Sequence, residues 1–248
     1  MTAGKPQGDS IWTRPARAPR GPVPEHSRAK IAAASILIAD ADGLDAVTMR
    51  SVAAAVGTGP ASLYRYVINR GELLELMADQ ARGELDYATA AHGSPTARLL
   101  AIAREGRALY LRHPWLLDVQ AAPIPGPNAV AFIEHVLAAL EGTDLSGPAR
   151  LETVGLFSGA VRLTAQTEIE QLRADQDAIQ WQGELAAYLT GIVSAGQHPH
   201  LAAALAEASA SDGPKSPEDM FDSAMTRILA GLLRESRAAP IAGRPARS

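Results

Sequence analysis

The stretch "GTGPASLYRYVINRGEL", residues 57–73, sets two tyrosines, two arginines and a serine in a span too short for a core helix. Gly59 and Pro60 open it as a short helix, because proline is tolerated at a first helical position, where its missing N–H would be unbonded anyway. Leu63 and Val67, four apart, face inward, which turns Ala61, Ser62, Arg65 and Tyr66 outward with Tyr64 to one side. Just ahead, Thr48 caps a helix over Met49–Val56 whose Val52, Ala53 and Val56 form an apolar stripe, and Gly57 stops it. A capped helix, a glycine turn and a short helix with one hydrogen-bonding face make a helix-turn-helix. The small Ala53 and Gly57 let the two helices approach closely. In a major groove, the outward serine, tyrosines and arginine reach base edges and phosphates. The pattern alone leaves a second reading open, in which these are ordinary solvated residues on a helical hairpin.

Outward from this centre, Ile31, Ala34, Ile38 and Ala41 recur at helical spacing after Ser27, and Gly43 ends the run. A further helix is predicted from about Asn69 to Ala90. Residues 1–26 hold five prolines and four basic residues without apolar periodicity, which predicts a disordered basic arm. Beyond His92 the punctuation is helical throughout. Segments are expected at Pro95–Arg112, Pro127–Glu141, Ala149–Leu172, Asp177–Ala195, a short one after Pro199, and Pro217–Arg234. Alanine supplies about a fifth of the 248 residues, aromatics only 4%, and β-branched runs are scarce. The fold class is therefore all-α. The division is an arm (1–26), a three-helix head (27–72), a larger helical domain (73–236) and a loose tail (237–248).

Net charge is −4, but unevenly spread: residues 1–70 carry nine Lys or Arg against five Asp or Glu, and residues 71–248 fourteen against twenty-two. The basic front suits a polyanion and the acidic remainder repels one. The chain has no cysteine, which removes disulfides, thiolate zinc sites and cysteine nucleophiles and fits a reducing cytosol. No apolar run approaches a membrane span, and residues 1–26 lack the apolar middle of a signal peptide. A phosphate-binding glycine loop, H-E-x-x-H and G-x-S-x-G are all missing, and "HPH" at 198–200 is broken by proline, so no enzyme, required cofactor or metal is assigned.

The run "TMRSVAAAVGTGPASLYRYVINRGELLELMADQ", residues 48–80, resembles the DNA-binding head of the TetR family of bacterial transcriptional regulators. The likeness continues more loosely to about Leu233 through "ALYLRHPWLLD", "GPNAVAFIEHVLAAL" and "FDSAMTRILAGLL". It implies a cytoplasmic, homodimeric repressor that binds double-stranded DNA at a palindromic operator and is released by a small-molecule inducer. Carried over by position, it implies that Arg50 reaches a base or phosphate, that Thr48 is a phosphate contact as well as a cap, and that Pro60, Ala61 and Ser62 stand where bases are read. Tyr64 and Tyr66 stand where the backbone is held, and Arg70 matches a lysine that pairs with phosphate. Ile68 and Gly71 depart from the usual polar residues. The resemblance also implies that the helices holding Gly155 and Gly159, and Phe221, Met225, Ile228 and Leu232, pair with their copies in a four-helix dimer interface. Arg104, His113, Trp115, Gln120, Arg162 and Gln166 are polar or amphipathic residues beside apolar helical faces, suited to orienting the effector.

Overall fold

The computed structural model describes residues 10–14, 26–120, 124–194, 196–210 and 216–234. The expectations for most of the arm and for the tail from Arg237 lie outside these residues. Among the described residues every regular element is helical: α1 (Arg28–Asp42), α2 (Met49–Ala55), α3 (Pro60–Leu63), α4 (Arg70–Arg82), α5 (Pro95–Arg112), α6 (Pro127–Ala139), α7 (Gly147–Ser194), α8 (Pro199–Ala210) and α9 (Pro217–Leu232).

The head forms where its caps predict. Ser27 accepts the Lys30 N–H at the start of α1. At α2, Thr48 and Ser51 cap reciprocally, each hydroxyl accepting the other's backbone N–H (3.0 and 2.9 Å), worth about 1 kcal/mol. Gly57 takes φ +77° after α2, which lets the Thr58 N–H return to the Ala53 carbonyl at 2.9 Å and closes the turn. Ile31, Val47, Val52, Leu63, Val67, Leu73 and Met77 are sealed in one core, each contributing roughly 1.5–3 kcal/mol.

Three expectations change. Ser10–Arg14 is not a loose part of the arm: it forms a turn, with Ile11 fully buried in the head core and Arg14 Nη2 2.7 Å from Glu72 Oε2. The helix expected over Asn69–Ala90 stops at Arg82, where Gly83 follows, and Ala88–Ala90 is a separate 3-10 turn. The helices expected over Ala149–Leu172 and Asp177–Ala195 are one continuous α7, since nothing in "RADQ" denies helical backbone.

The boundary drawn at residue 72 falls inside α4. Its Leu73, Leu76 and Met77 pack in the head, while its later turns face the second domain. Behind α4, α5 packs on α6, α7 and α9 around Leu99, Ile102, Val136, Leu140, Phe157 and Met225.

Candidate functional site

On the head, α3 exposes Pro60 and Ala61, half-exposes Ser62 and buries Leu63, as the spacing requires. Tyr64 follows with 52% of its surface free, Arg65 is exposed, and Tyr66 lies half-buried against the core. Thr48 and Arg50 are exposed at the start of α2. Among the described residues neither the Arg50 nor the Arg65 guanidinium meets a carboxylate or any hydrogen-bond acceptor. Positive charge thus stands unneutralised beside a helix that a major groove admits.

Arg70 differs. Its Nε donates to the Val47 carbonyl (3.0 Å) and its Nη2 to the Leu44 carbonyl (2.8 Å). It therefore braces α4 against the loop before α2, although no carboxylate neutralises it among the described residues. Arg28 makes a second brace, donating to the Ile11 and Tyr66 carbonyls. Burial lowers the Arg28 pKa, the nearby Arg14 lowers it further, and Glu72 opposes both.

Behind the head lies a cavity of about 340 Å³. Its wall is built from α4 (Glu75, Ala78, Asp79, Arg82), α5 (Gly106, Leu109, Tyr110), α6 (Phe132, Ile133) and α7 (Val154, Ser158, Val161, Arg162), with Trp12, Leu116, Val119 and Gln120. Gly106 is required here, because a Cβ would stand 2.9 Å from Val161 Cγ1. So is Gly126: a Cβ would meet Asp79 at 2.4 Å and Trp12 Cζ2 at 2.8 Å. That approach lets Asp79 cap α6, its carboxylate accepting the Asn128 and Ala129 N–H groups (3.3 and 3.0 Å) at the positive end of the helix. Burial, with Glu72 nearby, raises the Glu75 pKa.

Of the six residues expected to orient an effector, only Gln120 and Arg162 line this cavity. Arg162 also donates to the Leu117 carbonyl. The other four serve elsewhere. Arg104 pairs with Asp222, and Gln166 bonds Glu170 along α7. His113 is buried between Asp40 and Glu84, Nδ1 2.7 Å from Asp40 Oδ1 and Nε2 3.1 Å from Glu84 Oε2. Trp115 donates its Nε1–H to the same Asp40 oxygen, so the pair ties α1 to the end of α5. Burial raises the Glu84 pKa, but hydrogen bonds from His113 and Arg112 outweigh that and hold it low. Sequence reasoning missed Glu75, Asp79, Arg82, Phe132 and Trp12. An Ile-Trp pair stranded in a polar, proline-rich arm was the available signal for the last.

The residues expected in a subunit interface also divide. Phe221 (4% exposed) and Met225 (fully buried) belong to the chain's own core, and Ile228 and Leu232 lean on it. Gly155 and Gly159 are exposed, with open space where a Cβ would go. Around them α7 exposes Leu151, Leu156 and Leu163, and α9 exposes Met220. The apolar face is there, but it is offset from the α9 residues that the resemblance implied.

A helix-turn-helix with free arginines, joined through one shared helix to a domain with a cavity, is the arrangement of a sensor coupled to a nucleic-acid reader. Residues 31–77 match bacterial regulatory proteins of the tetR family, and residues 90–235 match the tetracyclin repressor-like carboxy-terminal domain. The chain belongs to the TetR family of transcriptional regulators. It is 37% identical over 230 residues to the HTH-type transcriptional repressor DrrR1 of Streptomyces coeruleorubidus, spanning 90% of this chain and 83% of that one. Its fold resembles apo ActR of Streptomyces coelicolor, with a TM-score of 0.69 at 27% identity over 86% of this chain and 97% of that one. It likewise resembles ActR in complex with actinorhodin, with a TM-score of 0.69 at 27% identity over 84% and 97%.

Proposed function

We propose that this chain is a homodimeric repressor that reads a near-palindromic operator and is released by a small molecule held in the cavity. The observation that carries the reading is the double use of α4. Its Leu73 and Met77 are fixed in the head core, while Glu75, Asp79 and Arg82 line the cavity. A molecule that prefers a displaced α4 draws the head with it, and a preference of about 5.5 kcal/mol moves a population from 1:99 to 99:1.

One α3 makes too few base contacts to select a site. Two heads on a two-fold axis read half-sites about 34–36 Å apart. The exposed leucines of α7 and Met220 supply an apolar face for that pairing, with Gly155 and Gly159 permitting close approach. The effector matches the wall: mostly apolar, with room for aromatic rings beside Tyr110 and Phe132, and polar groups toward Glu75, Arg82 and Arg162. ActR is similar in fold and is seen with actinorhodin, which makes that compound the first to try. A scaffold of the same fold without small-molecule control would need a filled core where this cavity stands.

The test is selection of duplexes from a random DNA pool by the purified chain, followed by the salt dependence of the best binder and its release by actinorhodin and related compounds. A two-fold symmetric site whose affinity falls steeply with salt supports the reading. Failure to enrich any sequence overturns it.

A further inference from the structure

Ser10–Arg14 touches both functional regions. Ile11 is sealed in the head core, and its carbonyl accepts from Arg28 Nη1 at 3.0 Å. The same guanidinium donates to the Tyr66 carbonyl, next to the recognition segment. Arg14 Nη2 lies 2.7 Å from Glu72 Oε2, and that oxygen also accepts the Ile68 N–H at 2.9 Å. Between these two anchors Trp12 turns the other way, onto the cavity wall, its ring seated against Gly126. Trp12 Nε1 is one of three buried side-chain polar atoms without a partner among the described residues, with His26 Nδ1 and Tyr87 Oη, and Trp12 alone of the three residues lines the cavity.

We propose that this segment is part of the effector site: Trp12 donates its indole N–H to an acceptor oxygen of the bound molecule, and the shift of its ring is passed through Ile11 and Arg14 to residues 66–72. A buried donor without an acceptor destabilises the empty state. A molecule bearing a carbonyl, sulfonate or carboxylate oxygen offers a partner once the indole swings toward it, which is the differential contact an induced change requires. The swing loads the two anchors on either side of Trp12. Both end at the recognition segment, through the Tyr66 carbonyl and, by way of Glu72, the Ile68 N–H. The inference rests on the cavity being the effector site.

The experiment uses the full chain and the fluorescent apolar anion anilinonaphthalene sulfonate, whose ring system suits the wall and whose sulfonate supplies the acceptor. Its Kd is measured for the wild type, Trp12→Phe and Ser158→Trp, the last filling the cavity from α7, with thermal melts confirming that each variant folds. The expected result is loss of binding in Ser158→Trp and a weakening of about tenfold in Trp12→Phe, the scale of a hydrogen bond to a charged group. Saturating probe should also change amide exchange over residues 63–72 in the wild type, and the change should vanish in Arg14→Gln. Binding lost in Ser158→Trp but unaltered in Trp12→Phe overturns this inference and leaves the cavity reading standing. Binding undiminished in Ser158→Trp overturns both. Exchange that does not respond in the wild type, or responds equally in Arg14→Gln, overturns the transmission through Ser10–Arg14.

Discussion

Three arginines of the second domain are tied to carboxylates, whereas two on the outer face of the head are not. In the second domain Arg104 is bound to Asp222, Arg107 grips Glu168 with two bonds of 2.6 and 2.5 Å, and Arg112 meets Glu84. In the head Arg50 and Arg65 stand exposed without an acidic neighbour, although the chain as a whole is acidic. Paired charge holds helices together and has little left for a polyanion. Unpaired charge on a face otherwise made of Ser62, Tyr64 and Tyr66 is what phosphates require. The proposed DNA-reading face is marked by free arginines rather than by net charge.

The sharpest way to break this contrast is to remove the free charge and the exposed ring together. Arg50→Ala with Tyr64→Ala is expected to weaken binding to a selected duplex by a hundredfold or more, since each base or phosphate contact is worth about 1–3 kcal/mol. Helix content and assembly should not change. Retained sequence-specific binding in a mobility-shift titration would refute the assignment of this face. The next largest effect concerns the exposed leucines of the second domain. Leu156→Asp with Leu163→Asp places two charges on the apolar face of α7. Sedimentation should show the dimer giving way to monomer, with duplex affinity falling about tenfold or more as one half-site is lost. A variant that sediments as the wild type does would move the interface elsewhere.

Legibility follows the same division. The head was readable because its signals are local: Thr48 as a cap, Gly57 as a stop, Pro60 as a start, and Leu63 with Val67 four apart all act within a turn or two. The extents of α4 and α7 were less so, since a helix end at Gly83 and continuity across residues 173–176 depend on what packs alongside. The cavity was legible only in Gln120 and Arg162. His113 and Trp115 look equally suited to a ligand by type, yet both are committed to Asp40, seventy residues and more away in sequence. Phe221 and Met225 lie in the chain's own core, and an apolar stripe on α9 does not say whether its partner is α5 of the same chain or a second copy. Nor could composition show that Ile11 leaves the arm for the core.

A smaller effect separates the cavity from its frame. Gly126→Ala forces a methyl onto Asp79 and Trp12, where open space is absent. The Asp79 cap on α6 should weaken, costing about 1–2 kcal/mol by loss of the cap and local overpacking, read as a lower urea midpoint. Gly155→Ala, on the exposed face with nothing within 4 Å, should not destabilise the monomer. Its effect, if the face pairs, appears in the association constant instead.

The smallest effect tests the paired side of the comparison. The Arg104 side chain is half exposed and that of Asp222 about a quarter, so the pair is screened and Asp222→Asn should cost less than about 1 kcal/mol. Its pH dependence has a definite sign. Hydrogen bonding and charge from Arg104 outweigh partial burial and hold the Asp222 carboxyl below its ordinary value. A carboxyl held low in the folded state stabilises above its unfolded pKa, and the gain is lost as pH falls through the folded one. The difference in stability between wild type and Asp222→Asn should therefore be constant near neutrality and shrink toward zero as pH drops below about 4. Operator binding at pH 7 should be unmoved within error, because the pair joins α5 to α9 and includes none of the head's residues. A loss of DNA affinity comparable to that of Arg50→Ala with Tyr64→Ala would mean that pairing in the second domain also sets the geometry of the heads, and the two regions could no longer be read as doing separate work.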